Sequence, residues 1–115
     1  MSTPAIDRAT FAELQEAAGA EFVTELVATF LEDAPALLAE LRAARAVADP
    51  DRFRRAAHSL KSNSQTFGAT ALGTLARALE LAGLNADAAA DGAAIDAIDA
   101  AFAVAATELK ALSHG

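Results

Sequence analysis

No cysteine occurs in the 115 residues, so disulfides, thiol catalysis and thiolate metal sites are all excluded. That absence suits a reducing cytoplasm. Tryptophan and tyrosine are missing too, and six phenylalanines are the only aromatics, which leaves little to build a base-stacking surface from. Basic residues are scarce, nine against sixteen acids, and the net charge of −7 argues against nucleic acid as the main partner. There is no uninterrupted apolar run of about 18 residues to span a membrane. The start, MSTPAIDRATF, lacks the basic and apolar regions of a signal peptide. The expectation is a soluble, cytoplasmic chain. The phosphate-cradling pattern GxxxxGK is also absent, which excludes that route to a nucleotide.

What is present is alanine and helical periodicity. Apolar residues make up 54% of the chain, ample for one modest core, and the length fits a single domain over 1–115 with residues 1–5 as a loose tail. Alanine-rich segments poor in valine and isoleucine favour helix over strand, and no alternating or hairpin pattern appears. A short first helix is capped by Asp7 or by Thr10, the latter forming a capping box with Glu13, and ends at Gly19. A second helix spans about Glu21–Val47, with Phe22, Leu26, Phe30, Leu37, Leu41 and Ala44 inward. Pro35 should kink it, since the apolar pattern continues on both sides. Asp49-Pro50 is an N-cap followed by proline at the first helical position, opening a third helix that runs through His58 to Phe67, with Gly68 as its stop. A fourth spans about Thr70–Ala82, with Leu72, Leu75 and Leu79 inward. An irregular connection follows at 84–92, and a last helix covers about Ala93–Leu112. The fold class expected is all-α: an antiparallel, up-down-up-down four-helix bundle with a short N-terminal capping helix.

The third helix carries the unusual feature. At about 100° per residue, Arg54, Arg55, Lys61, Ser62 and Gln65 all fall within roughly 60° of His58, while Phe53, Ala56, Leu60, Ser64 and Phe67 gather opposite. Residues 1–41 hold eight acids and one base, whereas 42–61 hold six of the nine bases against two acids. A small positive field therefore surrounds an imidazole on the polar side of an otherwise acidic molecule.

Metal binding does not suit this site. Three and four residues from His58 stand Arg54, Arg55, Lys61 and Ser62, cations and a hydroxyl where a helical metal site needs carboxylates or histidines, so the expectation is no metal. His114, beside the terminus, reads as a solvated tail residue. A Ser-His-Asp arrangement lacks an acid to orient the ring and a glycine-rich oxyanion loop. An accessible histidine with cations around it meets the requirements of a phosphoryl acceptor, because a neutral ring nitrogen is nucleophilic near pH 7 and the cations offset the incoming charge. An ordinary surface histidine on a basic helix face fits the same residues. The residues alone do not separate these two readings.

The segment AAHSLKSNSQTFGATALGTLARALE, residues 56–80, resembles the core motif of the histidine-containing phosphotransfer (HPt) domains. The matches are His58, Leu60, Lys61, Ser64, Phe67, Gly68, Ala69, Leu72 and the closing Leu79-Glu80. Upstream, FLEDAPALLAELRAA at 30–44 resembles the family's second helix, proline included. Two positions depart: Ser62 stands where the family usually has glycine, and Asn63 where it has serine. Ser62 is still small, so it bears on partner fit rather than on the chemistry.

The resemblance implies a phosphorelay carrier with no catalytic machinery of its own. His58 would accept and donate the phosphoryl group, and Lys61 and Gln65 would stabilise its charge. Arg54, Arg55, Ala57 and Ser62 would line the docking surface, with Gly68 as the structural stop. Partners would be receiver domains of response regulators or a hybrid histidine kinase. No cofactor is expected on this chain, since the receiver brings the Mg²⁺, and a monomer is expected. A competing reading of another class is a binding-only adaptor that docks receivers without carrying phosphate.

Overall fold

The computed structural model describes residues 5–114, the side chain of His114 excepted. Five helices account for most of it: α1 (Arg8–Ala18), α2 (Ala20–Ala46), α3 (Pro50–Thr66), α4 (Thr70–Ala82) and α5 (Ala88–His114). Helices α2 to α5 form a closed ring in which α2 packs on α3, α3 on α4, α4 on α5, and α5 back on α2. Along α2 and α5 the partners run in opposite sense, Arg45 pairing with Asp91 and Arg42 with Asp96, while Phe30 meets Phe102 edge-on at 5.8 Å. The short α1 lies against α2 and α3.

The core seam of α2 differs from the expected one at its N-terminal end. Val23, Val27, Phe30, Ala34, Leu38, Leu41 and Ala44 are buried, whereas Phe22 is 52% exposed. Phe22 and Val23 are 100° apart on the helix, so only one of them can face the centre, and the seam continues through Val23. Leu75 on α4 is likewise outward, its inward place taken by Gly73 and Ala76. Pro35 does not split α2, which runs through it for 27 residues.

Two turns decide how α3 is held. At the α2–α3 join the Asp49 N–H donates to the Ala44 carbonyl at 2.9 Å and the Ala48 N–H to that of Arg45 at 3.2 Å, with Ala48 at φ 52°. At the α3–α4 join the Ala69 N–H donates to the Ser64 carbonyl at 2.9 Å and the Gly68 N–H to that of Gln65 at 3.1 Å, with Gly68 at φ 76°. Both are Schellman closures, one built with alanine and one with glycine.

Gly68 does more than turn the chain. Its carbonyl accepts the Asp7 N–H at 2.7 Å, and a Cβ there would stand 2.8 Å from the Asp7 carbonyl oxygen. Asp7, not Thr10, caps α1, its side chain accepting from the N–H groups of Ala9 and Thr10. Ile6 just before it is fully buried and Ala5 packs against the core, so the loose tail expected over 1–5 does not include Ala5, and residues 1–4 lie outside the described residues. Asp49 caps α3 as expected, accepting from the Arg52 N–H at 3.2 Å.

Helix α5 starts five residues earlier than expected. Asp87 caps it by accepting the Ala89 N–H at 3.0 Å. Asp91, 3% exposed, then accepts the Asn85 N–H at 2.9 Å and pairs with Arg45 at 3.3 Å, tying the loop before α5 to the end of α2. No helix among the described residues is long and apolar enough to cross a membrane.

Candidate functional site

Helix α3 presents His58 on its outer side, with 56% of the side chain exposed. The neighbouring stripe of α3, made of Ala57, Lys61 and Ser64 at i, i+4 and i+7, faces α4. Ser64 closes its own hydroxyl onto the Leu60 carbonyl at 2.6 Å, which lets a polar residue stand fully buried in that contact. Ala57 is fully buried as well. It therefore cannot line a docking surface, contrary to the expectation; its small side chain allows α4 to close on α3 beside the histidine.

That approach brings in a residue from another helix. Glu80, in the last turn of α4, places one carboxylate oxygen 2.6 Å from Nδ1 of His58 and the other 2.9 Å from Nζ of Lys61. Glu80 is only 17% exposed and Lys61 20%. The Lys61 ammonium hydrogen-bonded to Glu80, together with the His58 ring, holds the Glu80 carboxyl below the usual carboxylate range despite its partial desolvation. An ionised carboxylate has no proton to donate, so the hydrogen of this bond resides on Nδ1. In the neutral ring Nε2 then carries the lone pair. The ring has the tautomer and orientation of a nucleophile acting through Nε2.

Glu80 is the functional residue that sequence reasoning missed. The turns of α3 next to His58 hold no acid, and Glu80 is 22 residues away in sequence. A signal existed, because Glu80 closes the matched motif, but nothing in helix periodicity tells which side of α4 faces His58.

The remaining expected residues divide. Ser62 is exposed beside His58. Arg54 is exposed and pairs with Asp51 at 3.2 Å, and Arg55 donates from Nε to the Asp51 carbonyl at 3.3 Å. Gln65, assigned to the ring or the phosphoryl group, has no hydrogen bond to His58, whose Nδ1 is taken by Glu80. Gln65 instead lines an open polar pocket with Gly73 and Arg77 of α4. Beside His58 on the α2 side lies a groove of about 480 Å³ bounded by Leu37, Glu40, Arg52, Arg55 and Ser59. Within it Arg52 donates to Glu40 at 2.7 Å, and this bond lowers the Glu40 carboxyl. Among the described residues no three His, Cys, Asp or Glu side chains gather into a metal-binding group.

A histidine held in this way, in a bundle of this kind, can be set beside known proteins. The family model described as Hpt domain matches residues 25–114. In three dimensions the chain is similar to the histidine-containing phosphotransfer protein B (HptB) from Pseudomonas aeruginosa PAO1, with a TM-score of 0.84 and 29% sequence identity, covering 98% of this chain and 97% of that one. No curated protein matches the chain in sequence.

Proposed function

The chain belongs to the Hpt domain family and is a histidine phosphotransfer protein of two-component phosphorelay signalling; we propose that His58 is its phosphoryl carrier and that Glu80 and Lys61 prepare it. The observation that carries this assignment is the 2.6 Å bond from Nδ1 to Glu80. In the proposed step, the Nε2 lone pair attacks the phosphorus of a receiver's aspartyl phosphate. An N–P bond forms as the P–O bond to aspartate breaks, with that electron pair leaving on the aspartate carboxylate. The Nδ1 proton stays in place, so the phosphorylated ring becomes cationic facing the Glu80 carboxylate. Donation to a second receiver runs the same step backwards.

Lys61 keeps Glu80 ionised and aimed, and adds positive charge beside the incoming phosphoryl group. The partner receiver brings its own aspartate and Mg²⁺. Docking uses the exposed face of Arg54, Arg55 and Ser62 with the adjoining α2–α3 groove, a small and transient interface. The protein is proposed to act as a cytoplasmic monomer between receiver domains, or between a hybrid kinase and a receiver. The adaptor reading explains docking but gives no reason for a carboxylate to fix the tautomer of an exposed ring.

The test is transfer of radiolabelled phosphate from a phosphorylated receiver or an active hybrid kinase. Wild type is expected to take up acid-labile, alkali-stable label and His58→Gln none. Equal label on both would remove His58 from the role, and binding without any transfer would favour the adaptor.

A further inference from the structure

Of the nine lysines and arginines, six have a carboxylate within ion-pair distance: Arg8, Arg42, Arg45, Arg52, Arg54 and Lys61. Among the described residues, no carboxylate lies within that distance of Arg55, Arg77 or Lys110. Arg55 stands close enough to Glu40 to act on its charge, although Arg52 holds that carboxylate. Lys110 is on α5, whose backbone makes no close approach to that of α3. Among the described residues Arg77 is therefore the cation nearest the site whose charge no carboxylate offsets, since Glu80 one turn further along α4 is already engaged by Lys61 and His58.

Arg77 borders an open pocket of about 210 Å³ between α3 and α4, together with Gln65, Gly73, Thr70 and Thr74. With Thr10 of α1 at its edge, the lining supplies a guanidinium, an amide and three hydroxyls and no carboxylate. Gln65 lies seven residues beyond His58 on the same side of α3, so the pocket is about 10 Å along the helix from the imidazole. A partner covering about 800 Å² on each side spans well beyond that distance. An interface of that size centred on His58 has a radius of roughly 16 Å and so reaches this pocket.

We propose that Arg77 is a specificity-determining residue for docking, and that its pocket receives a carboxylate side chain of the receiver domain seated on His58. This rests on the phosphotransfer reading. The supporting argument is charge complementarity. An unpaired arginine in a cleft without acids disfavours a partner that presents a cation or an apolar side chain there, and favours an acid with a planar, two-pronged fit. The molecule as a whole is acidic at −7, so this local cation is also the means by which an acidic partner is oriented against the net repulsion. The residue is on α4, outside the α3 face expected to form the docking surface.

The experiment measures the rate of label transfer from a panel of receiver domains phosphorylated with acetyl phosphate, at low and at high salt. Arg77→Gln is expected to lower the second-order rate for its preferred receiver by about fivefold at low salt and Arg77→Glu by more, with the gap closing as salt rises. Lys110→Gln, the same charge change away from α3, is expected to match wild type. Chemical phosphorylation of His58 by phosphoramidate, which needs no docked protein, is expected to proceed alike in wild type and Arg77→Gln. Equal transfer by wild type and Arg77→Gln across the panel would overturn the proposal while leaving the phosphotransfer reading intact. A loss seen equally with phosphoramidate would place Arg77 at the phosphoryl group and also overturn it. No transfer to wild type from any receiver, or undiminished transfer to His58→Gln, would sink the underlying reading and the proposal with it.

Discussion

Gly68→Ala tests how the site helix is anchored. Gly68 has φ 76°, a left-handed conformation that costs an L residue about 1–2 kcal/mol. Some 0.4–1 kcal/mol of this is returned because alanine restricts the unfolded chain. The steric part is larger. The new Cβ would stand 2.8 Å from the Asp7 carbonyl oxygen and 3.0 Å from Cβ of Thr10, and the first of these is backbone, which cannot swing aside. The start of α1 has to retreat. Its retreat lengthens the 2.7 Å bond from the Asp7 N–H to Gly68, a bond of about 1 kcal/mol. It also partly uncovers Ile6, whose full exposure would cost about 1.5–3 kcal/mol. Together these put the destabilisation at about 2–4 kcal/mol, and the melting temperature of a 115-residue domain should fall by roughly 8–16 °C. Without tryptophan or tyrosine the signal must be helical circular dichroism, followed in urea. A loss below about 0.5 kcal/mol would show that α1 does not lean on Gly68. A urea dependence shallower than wild type would show instead that α1 had come away in the variant's native state.

Ala48→Gly makes the opposite change in the matching turn, and at φ 52° it should stabilise by about 0.5–1 kcal/mol, read by the same urea titration. Glu80→Gln should slow phosphorylation of His58, measured as transfer rate from a phosphorylated receiver, with little change in helix content. The same variant gives a pH test. The Glu80 carboxyl is held below its usual value, so its stabilising effect is present above the ordinary glutamate range near pH 4.3 and is lost as pH falls through the lower folded value. The stability gap between wild type and Glu80→Gln should therefore shrink as the pH falls below about 4.3, and a gap that stays constant from about pH 4.5 into stronger acid would contradict the assignment.

Most of the helices were legible because their signals are local. Asp49-Pro50 opens α3 and Gly68 closes it by chemistry that needs no partner. The start of α5 was misplaced because the alanines at 88–90 carry no hydrophobic period, and the informative residue, Asp87, is a cap that shows itself only once Ala89 is in place to donate. Phe22 and Leu75 were misassigned for a related reason. Periodicity marks an apolar side of a helix to within about a residue, and the neighbouring helices choose which of two adjacent apolar side chains enters the core.

The candidate site divides along the same line. His58 on the outer side of an amphipathic helix, and the cations one turn either way, follow from a 3.6-residue repeat and so are fixed by sequence. The sequence by itself also determined the helical class, the site helix with its ends, and the family to which its motif points. Only the tertiary structure decided that Ala57 is buried, that Glu80 rather than Gln65 holds the ring, and that Arg77 borders a pocket with Gln65 without a carboxylate partner among the described residues. Each of these depends on which side of α4 meets α3, and that is set by packing across the bundle, a contact between residues about 20 apart that no local pattern encodes.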